Sequence, residues 1–88
     1  ALELGIVDLL VEEIPASVED LDWVQRIADG PSVALNSIKE NLLLSERESL
    51  QAVIDLEVMN AAKCSRTDDV KEAAASFREK RRPQFSGK

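Results

Sequence analysis

The side chains best placed to do chemistry lie near the end of the sequence. Arg78, Lys80, Arg81 and Arg82 follow closely on one another, with Phe77 before them and Phe85 after. Cations grouped like this attract a small polyanion or an acidic patch on a partner subunit. The plainer alternative is a solvated helix end whose cations complement the negative end of the helix dipole. Glu57 is a second candidate, a carboxylate in the middle of a stripe otherwise made of Leu50, Val53, Ile54, Ala61 and Cys64. It reads either as a buried acid tuned for proton transfer or as an exposed or interfacial edge residue that meets a cation or a helix N-terminus. No second catalytic group stands at a matching spacing, which favours the edge.

Other chemistries are excluded by composition. The chain has no His and a single Cys, Cys64. Zinc sites built from Cys and His are therefore ruled out, as are His-dependent triads. Cys64 reads as a core residue that cannot form a disulfide within the chain, a usage compatible with reducing surroundings. No GxGxxG, P-loop, HExxH, CxxC or GxSxG pattern occurs. No catalytic residue and no metal ligand is assigned on these grounds.

Charge is unevenly spread over the 88 residues, whose net charge is −6. Residues 78–88 hold five Lys/Arg and one Glu, whereas residues 1–77 hold six Lys/Arg and sixteen Asp/Glu. An acidic body does not suit nucleic acid, whose affinity comes from neutralising phosphates. No apolar run exceeds three residues, far below the roughly 20 of a membrane span. The chain opens without Met on what reads as a helix end, so its true N-terminus is expected upstream. A domain this short buries only about 60% of its unfolded surface and is marginal alone.

Positioning these groups falls to a mainly α architecture. Ala1 to Leu4 read as a last helical turn with Gly5 as left-handed cap. Ile6 to Val11 read as a short strand or extended segment, and Glu12 to Ala16 as a loop. A helix is expected from Ser17, capped with Asp20, to Asp29, with Gly30 as its C-cap and Pro31 beyond. Leu21, Val24 and Ala28 share its face, with Trp23 and Ile27 at the margin. A second helix runs from Ser32 to Leu44 with Ala34, Leu35, Ile38 and Leu42 as its stripe; Leu43 and Leu44 lie off it and suggest a second contact face. Ser45 with Glu48 forms a capping box for the longest helix, about Glu46 to Lys63. Thr67, Asp68 and Asp69 open the last helix, Val70, Ala73, Ala74 and Phe77 line one face, and Pro83 stops it. Phe77 on that face reads first as core.

The last stretch also resembles a known family. Glu72, Phe77, Glu79-Lys80-Arg81, Pro83, Phe85 and Gly87 match eight positions within sixteen of the signature E-G-x-x-A-F-x-E-K-R-x-P-x-F-x-G of the enoyl-CoA hydratase/isomerase (crotonase) superfamily. The opening ALELGIVDLLV is similar to that family's A-x-x-x-G-L-V-D-x-V-V segment. Ala73 and Ser76 depart from its Gly and Ala. The resemblance implies the C-terminal helical region of a crotonase fold, with residues 1–12 as the end of the core and 13–88 as the helical region. It implies acyl-CoA thioester chemistry through an enolate held by two backbone N–H groups, with the oxyanion hole and catalytic carboxylates upstream. Phe77 and Lys80 would contact coenzyme A, with Arg81 and Arg82 steering phosphate. Coenzyme A would enter as part of the substrate, with no prosthetic group. The helices would cover the acyl pocket and join a homo-oligomer, a trimer or dimer of trimers, in the cytoplasm or the mitochondrial matrix. The alternative is a non-catalytic helical oligomerisation module related to crotonases.

Overall fold

Caps and short connectors, rather than a central core, set out this chain. The computed structural model describes residues 1–14 and 17–88; the loop expected from Glu12 to Ala16 falls partly on residues 15 and 16, outside them. A 3-10 helical turn, Val18–Asp20, leads into α1 (Asp22–Ala28). Helices α2 (Ser32–Ser45), α3 (Leu50–Ser65) and α4 (Asp68–Glu79) follow. The described residues contain no strand. Ile6 to Val11 run as bends and irregular backbone, because a lone strand has no ladder to join.

Residues 2–5 form a turn rather than a helix, but it closes in the manner expected of a helix end. Gly5 has φ +75°, its N–H donates to Leu2 O, and the Ile6 N–H donates to Ala1 O, both at 3.1 Å. These are the two bonds of a Schellman motif. Ser17 and Asp20 form the capping box, yet the helix they start stops after one turn. Leu21 turns extended at ψ 122°, and α1 begins anew at Asp22. Gly30 follows the C-cap residue Asp29 and does not adopt a positive φ. What it supplies is space, since a Cβ there would meet Leu35 Cδ1 at 3.0 Å and Ile27 O at 3.1 Å.

The boundary between α2 and α3 differs from the sequence reading. Ser45 is the last residue of α2, and its hydroxyl donates back to Leu42 O at 2.6 Å. The N-cap of α3 is Ser49, whose Oγ accepts the Ala52 N–H at 3.2 Å. Ser45 and Glu48 therefore do not form the expected box; the next serine does the capping.

The faces differ too. Helices α2 and α3 pack on one another along a polar seam. Ser37 and Asn60 are buried there. Asn60 Nδ2 donates to Asn41 Oδ1 at 2.9 Å and to Glu40 Oε2 at 3.5 Å, and Cys64 Sγ donates to Ser37 Oγ at 3.7 Å. Val33, Leu35, Val53 and Leu56 are half-buried beside the seam. Ile38, Leu42, Leu43, Ile54, Val58 and Met59 stay exposed. The apolar stripes read from periodicity are thus split: Ala34, Leu35, Val53 and Cys64 are half-buried, the rest turned outward, and Glu57 stands among exposed residues on α3. No apolar side chain is fully buried among the described residues. The Cα radius of gyration is 16.4 Å, against about 12 Å for a compact domain of this length.

Candidate functional site

The basic end is shaped by the way α4 starts and stops. Thr67 Oγ1 accepts the Val70 N–H at 3.3 Å and so satisfies one free donor of the first turn. At the other end α4 closes at Glu79, and Lys80 takes φ 55°, ψ 41°. That left-handed conformation costs a non-glycine residue roughly 1–2 kcal/mol. Lys80 is the one non-glycine residue with positive φ among the described residues. The Lys80 N–H donates to Phe77 O at 3.3 Å and the Arg81 N–H to Ser76 O at 3.0 Å. This is a second Schellman motif, with lysine where glycine is usual.

The reversed turn sends the chain back along α4 as a strap, residues 81–88. Arg81 donates to both carboxylate oxygens of Glu72 through Nη1 and Nη2, and to Glu79 through Nε. Glu72 Oε1 also accepts the Gln84 N–H at 3.1 Å. The Arg81 guanidinium first, and then the Gln84 N–H, hold the Glu72 carboxyl below the usual carboxylate range. Glu72 and then Glu79 raise the pKa of Arg81 in return.

A second clasp lies one turn earlier. Asp69 is only 3% exposed. Its Oδ1 accepts the Ser86 N–H at 2.7 Å and the Ser86 hydroxyl at 3.4 Å, and its Oδ2 accepts the Gly87 N–H at 2.9 Å. The Asp69 N–H donates to Lys88 O at 3.1 Å. Gly87, at φ +78°, passes so near Ser32 that a Cβ would lie 2.7 Å from its Oγ. Phe85 lines a cleft of about 90 Å³ with Val33, Cys64, Val70 and Ala73.

The four residues named from the sequence do not share one pocket. Phe77 is 86% exposed, so it is not core within this chain. Lys80, three residues on, is exposed as well. Arg81 is held in its ion pairs with Glu72 and Glu79. Arg82 lines an open groove of about 480 Å³ together with Arg26, Asp29 and Gly30. Among the described residues no other cation of the basic end forms an ion pair, and no cluster of His, Cys, Asp or Glu could hold a metal ion. No helix there is long and apolar enough to cross a membrane.

Two residues escaped the sequence reading as parts of this site. Asp69 reads as a helix-dipole partner, and Glu72 as one letter of a motif; both are clasps for the strap. Glu72 and Arg81 are nine positions apart, and only a left-handed turn brings them together.

Comparison with known proteins matches residues 1–88 to the model of a family described as enoyl-CoA hydratase/isomerase. The chain is 34% identical over 90 aligned positions to a trans-2-decenoyl-[acyl-carrier-protein] isomerase of Streptococcus mutans serotype c (strain ATCC 700610 / UA159), covering all of this chain and 34% of that protein. It is similar to a crystal structure of enoyl-CoA hydratase subunit I from Geobacillus kaustophilus HTA426, with a TM-score of 0.69 and 34% identity over 80% of this chain and 27% of that one. The chain thus spans about a third of the length of the isomerase it matches.

Proposed function

The chain belongs to the enoyl-CoA hydratase/isomerase family, and from that membership we propose that it is the C-terminal helical region of an enzyme acting on acyl-CoA thioesters. The enolate would be stabilised by backbone N–H groups upstream, poised where negative charge develops on the thioester oxygen. Upstream carboxylates would move the proton. This region would cover the acyl pocket, join a homo-oligomer of three or six chains, and contact the carrier through Phe77 and Lys80.

The observation that carries this reading is the backbone of Lys80. Glycine would close α4 without strain, yet a cation stands there, three residues after a Phe left 86% exposed. Strained backbone of this kind is kept where the side chain has a task. A nucleotide phosphate beside the ammonium and an adenine on the ring is a task that fits both.

Calorimetry of coenzyme A binding tests it, on the whole protein that carries this chain, with Lys80→Ala beside the wild type at two salt concentrations. A salt-sensitive loss of about 1–3 kcal/mol is expected for a charged hydrogen bond to phosphate. No binding by the wild type would overturn the acyl-CoA reading and favour the non-catalytic oligomerisation module. The isomerase relative is named for an acyl-carrier-protein substrate, and an acidic carrier surface would also meet this basic end. Acyl carrier protein titrated in the same cell separates the two carriers.

A further inference from the structure

The hydrogen bonds of the strap do more than close the chain. Glu72 and Asp69 stand on one side of α4, three residues apart, and accept from Arg81, Gln84, Ser86 and Gly87. All of these donors follow Lys80, and the residue between helix and strap is Lys80 itself. A left-handed lysine is intrinsically unfavourable; the two Schellman bonds support it from within the turn, and a further hold comes from outside it. The two carboxylates supply that hold. Asp69 fixes the far end of the strap and Glu72 the near end, so the path of the backbone through Lys80 is over-determined from both sides.

We propose that Asp69 and Glu72 are positioning residues that set the Lys80 ammonium for the carrier, acting through the strap and touching no ligand themselves. The proposal rests on the carrier reading given above. On this account the strap is a device for aiming one cation. Arg81 is spent on holding it, which leaves Lys80 unpaired among the described residues.

A double-mutant cycle on the whole protein tests this. Coenzyme A binding is measured by calorimetry for wild type, Glu72→Gln, Lys80→Ala and the double variant. Alkylation of Cys64, followed at the level of its peptide, reports the strap independently, because Cys64 lines the cleft beside Phe85. Glu72→Gln is expected to speed alkylation and to weaken binding about tenfold, as Lys80→Ala does. The double variant should bind no worse than Lys80→Ala alone, since effects through one group do not add. Gly87→Ala is the milder second variant: at φ +78° a Cβ is strained and would also meet Ser32 Oγ, which loosens the strap without altering α4, with the same two consequences. Faster alkylation with unchanged binding in both variants would overturn the proposal, as would additive losses in the double variant. If Lys80→Ala binds like wild type, the carrier reading falls and the positioning role falls with it. Faster Cys64 alkylation in Glu72→Gln alone would then identify the fault as the ligand assignment and not the strap.

Discussion

Helices α2 and α3 meet through Ser37, Asn41, Asn60 and Cys64, while Ile38, Leu42, Ile54 and Val58 look outward. Helix α4 and its strap meet through two carboxylates that between them accept six backbone or side-chain donors near the chain end. The first region leaves apolar surface that water penalises at about 25 cal/mol per Å². The second closes its own polar groups on itself. A helix pair with much of its apolar surface outside depends on another surface to cover it, whereas the tail of α4 is clasped by polar bonds within the chain. The carrier contact proposed here sits on the clasped region, whose Val70 and Phe77 are themselves exposed, so apolar surface is left to cover on both.

The largest effect expected from this contrast is on the chain in isolation. Residues 1–88 produced alone should show no cooperative thermal transition by circular dichroism, because no apolar side chain among the described residues is fully buried and stability depends on such burial. A sharp melt would mean that the polar seam suffices and would erase the contrast. Next in size is Asp69→Ala in the whole protein. Removing a buried acceptor of three donors should loosen strap docking by about 1–3 kcal/mol, seen as lost hydrogen-exchange protection at Ser86 and Gly87 with α2 and α3 unchanged. If protection in α2 falls equally, the two regions are not separable.

Smaller effects sharpen the picture. Lys80→Gly should stabilise the turn by about 1 kcal/mol while carrier binding weakens. A melting temperature that rises as affinity falls is a signature no purely structural lysine gives. Ser49→Ala should cost about 1 kcal/mol as a lost N-cap, whereas Ser45→Ala should stay within about 0.5 kcal/mol; denaturant midpoints compare the two. The smallest effect is pH dependence. The Glu72 carboxyl is held below its ordinary value by Arg81 and the Gln84 N–H, so its contribution is complete above the ordinary carboxylate pKa. It fades as pH falls through the lower folded value. Amide protection at Gln84 should be flat near neutrality, decline only in acid, and lose that component in Glu72→Gln.

The parts of the fold that the sequence makes legible are those decided within a few residues. Gly5, the Ser17–Asp20 box and the Thr67 cap each depend on one short stretch, and each forms as read. The α3 boundary was not legible, because Ser45 and Ser49 both offer a capping hydroxyl. Which is used depends on how long α2 continues, and hence on its seam with α3. The faces of α2 and α3 misled for a related reason. Periodicity locates apolar residues, but it does not say whether this chain or a neighbouring surface covers them. At the site, the basic cluster and Phe77 were visible. That Arg81 is taken up by Glu72 and Glu79 while Lys80 and Arg82 form no ion pair among the described residues was not, since it follows from one residue entering the left-handed region.

The strap also has a kinetic meaning. Asp69 clasps residues only 17 and 18 positions away, and Glu72 reaches Arg81 at nine. Loop-closure entropy rises only slowly with length, and closing loops of this order takes well under a microsecond. Once α4 has formed, these short loops favour capture of the tail ahead of contacts with distant helices. The close approach of Gly87 to Ser32, 55 positions apart, closes a much longer loop and is expected to form later, joining a piece already closed to the start of α2.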